Sequence, residues 1–481
     1  ERSLSMNQDY EYLFRRRHAL HRANREVWER SRAAYCGGEA YIRRALVRHV
    51  SEVEPEFAER LRRAYYFNYP RKLARLITQF ILSIEPQRDG ADPELVEDFS
   101  RTGLRANEVM RQFSTMLNIY GGAALTVEMP YFSGELDCER KRRERIRPAV
   151  RAWSPLEVAD WAYGSDGQLE WLLVEERKLV DRGPFLPPVP SLRRKLFTRD
   201  ETVIFERSGG NGPVVRTARA GHGLGCVPAL LSFEPDGFGI GGGHYFEDVV
   251  RISDAILNNE SEAQMNIVKQ MFGLLVISDS FARGARPAVN SGGSGTGEKF
   301  SHLLARSAAI WESPEEKGIS RYISPSGTDT SAIRSENDAL KRELFDVVGM
   351  ALIQPSRAAQ TAEAKAWDHH QIKQFLASRV DQLEQAELRC WELMHGFDRT
   401  IPVPAVAYNR EFAVTDLKSS IESLIELNQF PGGSGYRREV VRTALFLLEK
   451  MRRIDPERRE EIRREIEFGQ IPAEDAEVEH V

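Results

Sequence analysis

The sequence predicts an α+β fold, mainly helical, and three observations carry that prediction. Residues 1–84 read as helical with apolar faces at helical spacing, residues 245–272 carry such a stripe again, and 362–395 reads as one very long helix. From Pro148 to Phe233 the pattern changes to short β-prone runs separated by glycine and proline. The composition, 41% hydrophobic and 29% charged over 481 residues, is that of a globular chain with room for roughly two to four domains.

Taken in order, Arg15 to Val27 carries no helix breaker, and Pro55 to Phe67 places Phe57, Leu61 and Ala64 on one helical face. Pro70 interrupts, then Leu73, Leu76, Ile77, Phe80 and Ile81 form another apolar face. A helix over 107–120 runs into Gly121-Gly122 and a strand-like run, Ala124 to Met129. Trp171 to Glu175, Thr202 to Arg207 and Pro228 to Phe233 read as strands, with Pro184 to Pro190 as an extended surface loop. These pieces make an N-terminal α/β region, 1–244.

After the glycine-rich stretch Gly237 to Gly243, a helix is expected over 245–272. Val249, Ile252, Ile256, Ala263, Ile267 and Met271 form a narrow stripe, and the rest is dense in Asn, Gln, Ser and Glu. So narrow a stripe suits a helix packed on one side only, or one shared between subunits. Residues 273–328 break the pattern, with strands at Leu274 to Ile277 and Ser307 to Trp311 around a Gly/Ser-rich loop. A second helix follows over 329–352, with Thr328 or Asp329 as its cap, and Pro355 stops or bends it. Residues 353–361 form a loop. The stretch 362–414 holds a helix of about 50 Å, ended by Gly396, and an extended run. Residues 415–481 contribute helices over 415–429, 437–453 and 456–468, and an acidic tail.

The net charge of −5 argues against tight, static DNA binding, because a protein that neutralises many phosphates carries a basic excess on its binding domain. It does not exclude a surface past which DNA moves. Four single cysteines (Cys36, Cys138, Cys226, Cys390) show no paired metal-ligand spacing and read as reduced thiols. The longest candidate membrane run, Leu76 to Ile84, is too short and contains Thr78 and Gln79, so no membrane partner is expected. The chain opens on Glu1 rather than Met, so a preceding segment is expected.

Three motifs imitate chemistry. Gly237-Phe-Gly239-Ile-Gly-Gly242 matches the dinucleotide glycine spacing, but Glu247 and Asp248 occupy the helix turn that would receive a pyrophosphate. Gly292 to Lys299 falls short of a phosphate loop, because Glu298 stands where lysine must reach the terminal phosphates and Lys299 where a hydroxyl must meet magnesium. His369 and His370 point about 100° apart on a helix, and Cys390 and His395 lie five residues apart, a poor match to helical metal ligands. No nucleophile elbow, metalloprotease pair or two-metal carboxylate cluster is evident. The reading is of a protein that is not an enzyme, with no catalytic residue, no metal and no cofactor.

The order of elements then becomes informative: an α/β region, a long polar helix, a small inserted αβ segment, a returning helix, a Pro-broken loop, a very long helix. This order resembles the portal proteins of tailed bacteriophages, whose pieces are called wing, stem, clip, second stem helix, tunnel loop, wing helix and crown. Tyr41 to Tyr69, with Phe57-Ala-Glu-Arg-Leu61 and Tyr66-Phe67-Asn68, is similar to the N-terminal wing of one portal group. So are Tyr120-Gly-Gly-Ala to Pro130, Trp153-Ser154-Pro155, His222-Gly-Leu-Gly-Cys-Val-Pro228 and Thr361-Ala-Glu-Ala-Lys365. The likeness spans residues 40 to 430, and the stretch beyond shows no match.

The resemblance implies a homo-oligomeric ring, usually of twelve subunits, at one capsid vertex of a virion assembled in the host cytoplasm. Double-stranded DNA would pass through its channel during packaging and ejection. Implied partners are the large terminase subunit, capsid and scaffold proteins, and neck or adaptor proteins. The tunnel loop maps onto Gln354, Pro355, Ser356, Arg357, Gln360 and Thr361, with Arg357 either touching phosphate or pairing with a neighbour's carboxylate. The stem wall would carry Lys269, Lys341 and Arg342, and the motor-binding clip Arg283, Arg286, Lys299 and Trp311. The basic run Arg140 to Arg147 maps onto the outer wing or a solvated loop. Rival readings are another viral neck or adaptor ring protein, which lacks the insertion between stem helices, and a nucleic-acid enzyme of unrecognised type.

Overall fold

The computed structural model describes residues 6–130, 139, 143, 146–181, 183–208, 212–233, 245–271, 274–277, 309–311, 321–323, 327–348, 362–410, 412, 433–451 and 456–468. The chain divides into two compact units, one of residues 1–82 and 86–408, the other of 83–85 and 409–481.

The first unit opens with α1 (Met6–Arg15), α2 (Ala19–Cys36), α3 (Glu39–Ala45), α4 (Glu54–Arg63) and α5 (Tyr69–Ile81). The unbroken helix expected from Arg15 to Val27 is in fact interrupted at residues 16–18. His18 turns to extended backbone, and its ring nitrogen accepts from Leu20 N to cap α2. Its own N–H donates to Ala159 O, and its ring stacks on Trp161 at 3.8 Å. A tertiary contact with a strand therefore overrides local helix propensity.

Next come β1 (Gln87–Asp89), α6 (Pro93–Glu97), α7 (Ala106–Tyr120) and β2 (Gly122–Glu128). The glycine pair after α7 does two jobs. Gly121 takes the left-handed conformation that closes the helix, with its N–H on Leu117 O. At Gly122 an added Cβ would sit 2.5 Å from the Phe233 ring.

Strands β3 (Ala149–Trp153), β4 (Val158–Tyr163), β5 (Leu169–Val180), β6 (Val189–Thr198), β7 (Glu201–Ser208), β8 (Val214–Gly221) and β9 (Ala229–Phe233) form two antiparallel sheets. One is ordered β3-β2-β9, the other is the meander β4-β5-β6-β7-β8. Val189 and Pro190, expected in a loop, instead open β6 opposite Val180 and Leu179, so the hairpin is longer than the sequence suggested.

The two faces of the meander are used differently, as period-2 side-chain alternation dictates. Leu172, Val174 and Phe197 join Trp153, Trp161 and Ala124 in the core shared with the smaller sheet. Val203 and Phe205 face the other way and bury Phe14 of α1. On that second face Arg194, wholly buried, pairs across the strands with Glu175 at 2.7 Å. Arg194 also donates to the Leu13 carbonyl, left without an intrahelical partner in the last turn of α1, and to the Arg16 carbonyl just beyond it.

Among the described residues, this unit further contains helices α8 (Tyr245–Met271), α9 (Gly327–Asp346) and α10 (Ala362–Phe397), with strands β10 (Leu274–Ile277), β11 (Ala309–Trp311), β12 (Arg321–Ile323) and β13 (Ala405–Ala407). Gly396 lies inside α10 rather than ending it; a Cβ there would meet Leu224 at 2.8 Å, so the glycine permits close packing. Thr328 and Asp329 fall in the first turn of α9, not at its cap. Among the described residues no helix is long and apolar enough to cross a membrane.

Glu387 of α10 is fully buried and takes four donors. Arg88 of β1 contributes two, at 2.5 and 3.1 Å, Trp391 Nε1 one at 3.2 Å, and Tyr408 Oη one at 2.5 Å. The ion pair thus ties the short β1–β13 ladder to the long helix. The second unit contains α11 (Ser434–Met451) and α12 (Pro456–Phe468), with Val440, Leu445 and Ile466 buried. The helix expected over 415–429 lies outside the described residues.

Two outcomes follow. Glu387→Ala, which strands the buried Arg88 guanidinium, should cost about 3–5 kcal/mol in urea unfolding, and Glu387→Leu with Arg88→Met should recover much of that. A single-variant loss below about 1 kcal/mol would contradict a locked pair. His18, His21 and His222 are all held below the ordinary 6.5, in each case chiefly by burial, so the fold favours their neutral forms. Their contribution is complete above pH 6.5 and is lost as pH falls from there toward their folded-state values. The melting temperature should hold from pH 8 to 7 and decline below 6.5, less steeply in His18→Asn/His21→Gln.

Candidate functional site

The candidate site is the hairpin of α8 and α9. Contacts climb one helix as they descend the other, so the pair is antiparallel: Asn259 and Glu260 meet Asn337, and Gln270 meets Thr330. Asn337 is completely buried; it accepts from Asn259 Nδ2 at 3.0 Å and donates to Glu260 Oε1 at 2.9 Å. A buried amide with both functions satisfied fixes register more firmly than an apolar seam would.

The hairpin carries a three-stranded sheet at its end. Two residues separate α8 from β10, and three separate β12 from α9. Strand β10 is central, parallel to β11 and antiparallel to β12. Strand β12 is one the sequence did not single out, since Arg321–Ile323 is too short to show alternation.

The opposite end is anchored in the body. Phe246, Val249, Val250, Ile256 and Leu257 of α8 are buried. Its polar residues find partners in the N-terminal helices. Asp254 accepts from Arg30 at 2.6 Å and from Tyr41, Asn258 accepts from Val47 N and donates to Ala45 O, and Ser261 accepts from Arg60 at 3.1 Å. Arg60, buried, also grips Glu52 at 2.7 Å and the Val47 carbonyl at 2.6 Å. This corrects the expectation of a helix packed on its apolar stripe alone, because α2–α4 bring donors and acceptors to its polar side. Much of the Asn-, Ser- and Glu-rich surface is therefore used within the chain. Past Ser261, Met265, Ile267 and Val268 are only half-buried and Met271 is 74% exposed.

The sequence-derived candidates fall as follows. Lys269 lies on the outer part of α8, 3.9 Å from Glu56. Lys341 and Arg342 lie on α9; Lys341 is 3.0 Å from Asp338, and Arg342 donates to the Asp338 carbonyl. Burial pulls the Lys341 ammonium down, but Asp338, Tyr69 and Glu260 together leave it above the ordinary lysine value. Trp311 ends β11 opposite Ile277. Arg283, Arg286 and Lys299, together with Gln354, Pro355, Ser356, Arg357, Gln360 and Thr361, lie outside the described residues, as do the two glycine motifs and Cys138.

Cys390 is buried in α10, and burial pushes its thiol far up. His395 instead donates from Nδ1 to Ile401 O at 2.6 Å. Among the described residues no group of three or more His, Cys, Asp or Glu is placed to hold a metal.

Asn337→Ala removes the buried amide between two polar partners and should destabilise the first unit by about 1–3 kcal/mol in urea unfolding. A loss under about 0.5 kcal/mol would show that the seam does not hold the helices together.

No protein-family model matches the chain, and no curated protein sequence matches it. Solved structures with a similar chain path include the neck of a native GTA particle computed with C12 symmetry, at TM-score 0.42 and 11% identity. They also include the neck of an empty GTA particle computed with C6 symmetry, at 0.41 and 13%, and the virion of a native gene transfer agent particle, at 0.42 and 12%. Each match covers 77% of this chain and 89% of the other. TM-scores below 0.5 do not establish a shared fold.

Proposed function

We propose that the chain is a non-catalytic subunit of a homo-oligomeric portal-type ring, through which double-stranded DNA passes at one vertex of a virion. The observation that carries this reading is the α8–α9 hairpin: anchored in an α/β body at one end, carrying a small sheet at the other, and leaving half-exposed apolar side chains beyond Ser261. Copies arranged around an axis would cover one another's Met265, Ile267 and Val268, and closed symmetry is the usual outcome for identical chains.

In this reading residues 245–272 and 329–352 are the stem, 273–328 the clip, and 353–361 the narrowest part of the bore. The clip residues Arg283, Arg286, Lys299 and Trp311 would meet the packaging motor, a large terminase subunit, and later neck or adaptor proteins. The wing would meet capsid and scaffold. Arg357, with Gln354, Pro355, Ser356, Gln360 and Thr361, would approach the DNA. Moving DNA is hindered by each phosphate a wall neutralises. Lys269 and Lys341 already have Glu56 and Asp338 within the chain, which keeps their grip on a passing phosphate weak. The sheet inserted between the two helices disfavours an adaptor, which lacks one.

Native mass spectrometry of the purified chain across a salt series, with imaging of the particles, tests the proposal. A closed ring of about twelve copies with an axial hole is expected. A monomer at every salt concentration, or a ring that hydrolyses ATP unaided, would overturn it.

A further inference from the structure

A second feature of the first unit has no place in the stem. A cleft of about 1200 Å³ opens between α2, α5, α7 and the β3–β5 region. Six arginines line it (Arg17, Arg25, Arg32, Arg75, Arg111, Arg177) against three glutamates (Glu29, Glu157, Glu175), an excess of three positive charges in a chain of net −5.

The glutamates are engaged. Glu29 pairs with Arg25, Glu175 with Arg17 and Arg177, and Glu157 accepts from Ser154 N and Oγ. Arg32, Arg75 and Arg111 come from three different helices, and among the described residues none has an ion pair or a side-chain hydrogen bond. Three exposed guanidiniums converging on one cleft repel one another until an anion enters.

The cleft also selects the kind of anion. It exceeds the roughly 300–1,000 Å³ of small-molecule sites. Its lining includes the apolar Met116, Ile119 and Leu156 beside the amides Gln79 and Gln112. Apolar floor, amides and guanidiniums together fit a peptide that alternates carboxylates with small apolar side chains, whose backbone needs both donors and acceptors. A bare phosphate chain would leave the apolar floor unused.

The chain contains such a segment. Residues 472–481 place Glu474, Asp475, Glu477 and Glu479 around Ala476 and Val478, with no Lys or Arg. We propose that the Arg32–Arg75–Arg111 cleft binds the acidic segment 472–481 of a second copy of this chain. The inference deepens the ring reading by naming a contact between copies, but peptide binding can be measured whether or not rings form.

The test uses the full chain carrying Glu474→Gln, Asp475→Asn, Glu477→Gln and Glu479→Gln, so that its own segment does not compete. A fluorescent peptide of residues 472–481 is titrated by anisotropy. Saturable binding is expected. It should weaken tenfold or more with Arg75→Glu/Arg111→Glu, and with the uncharged peptide, and should fall as salt rises. Circular dichroism melts confirm that these exposed substitutions leave the fold intact, and Arg75→Lys/Arg111→Lys should retain part of the affinity. No binding, binding indifferent to Arg75 and Arg111, or tighter arginine-dependent binding of a single-stranded oligonucleotide would each overturn the proposal. Rings without peptide binding sink this inference alone, whereas peptide binding with self-association that stops short of a closed ring sinks the ring alone.

Discussion

The long helix α8 holds the first unit together because its polar side is satisfied by other parts of the same chain. Asp254, Asn258 and Ser261 would each be costly to bury alone. Arg30, Tyr41 and Arg60, with backbone groups of residues 45 and 47, make that burial tolerable and fix where α2–α4 lie along the helix. A wholly apolar contact would permit sliding and rotation, whereas hydrogen bonds of fixed geometry do not. The direction in which the α9 arm and its sheet leave the body follows from that register.

The same device recurs elsewhere in the unit. Glu387 with Arg88, Glu175 with Arg194, and Asn337 with Glu260 are each polar contacts with at least one fully buried side chain; the first and last join elements distant in sequence, and the second joins neighbouring strands. Buried ion pairs add little net stability against well-packed apolar replacements. What they impose is a penalty on every arrangement that leaves one partner unmatched. For the ring proposed above, whose arms would meet copies of themselves at fixed angles, that selectivity would matter more than extra stability.

The cleft and the hairpin show opposite treatments of charge. Along the hairpin, Lys269 and Lys341 have carboxylates nearby in the same chain, so little attraction remains for a moving polyanion. In the cleft, Arg32, Arg75 and Arg111 keep theirs, which suits a static contact. A net charge of −5 hides both, because it averages over surfaces whose charges are paired to different degrees.

Much of the fold was legible in the sequence. Helical periodicity located α8, α10 and α12 to within about two residues, since long amphipathic stretches repeat one pattern many times. The strand grammar of 148–233 was also sound, although Pro190 concealed the length of the β5–β6 hairpin. The break at residues 16–18 was not legible, because Ala159 and Trp161, which capture His18, lie some 140 residues away. Neither was the cleft, whose three unpaired arginines sit singly on α2, α5 and α7 among many arginines of similar local context. By itself, then, the sequence determined the long helices, the strand-rich stretch and their order, because those properties depend on near neighbours and on alternation of apolar residues. Only the tertiary structure decided which polar residues are consumed in packing and which stay free to bind, because a side chain's partner is set by what folds against it.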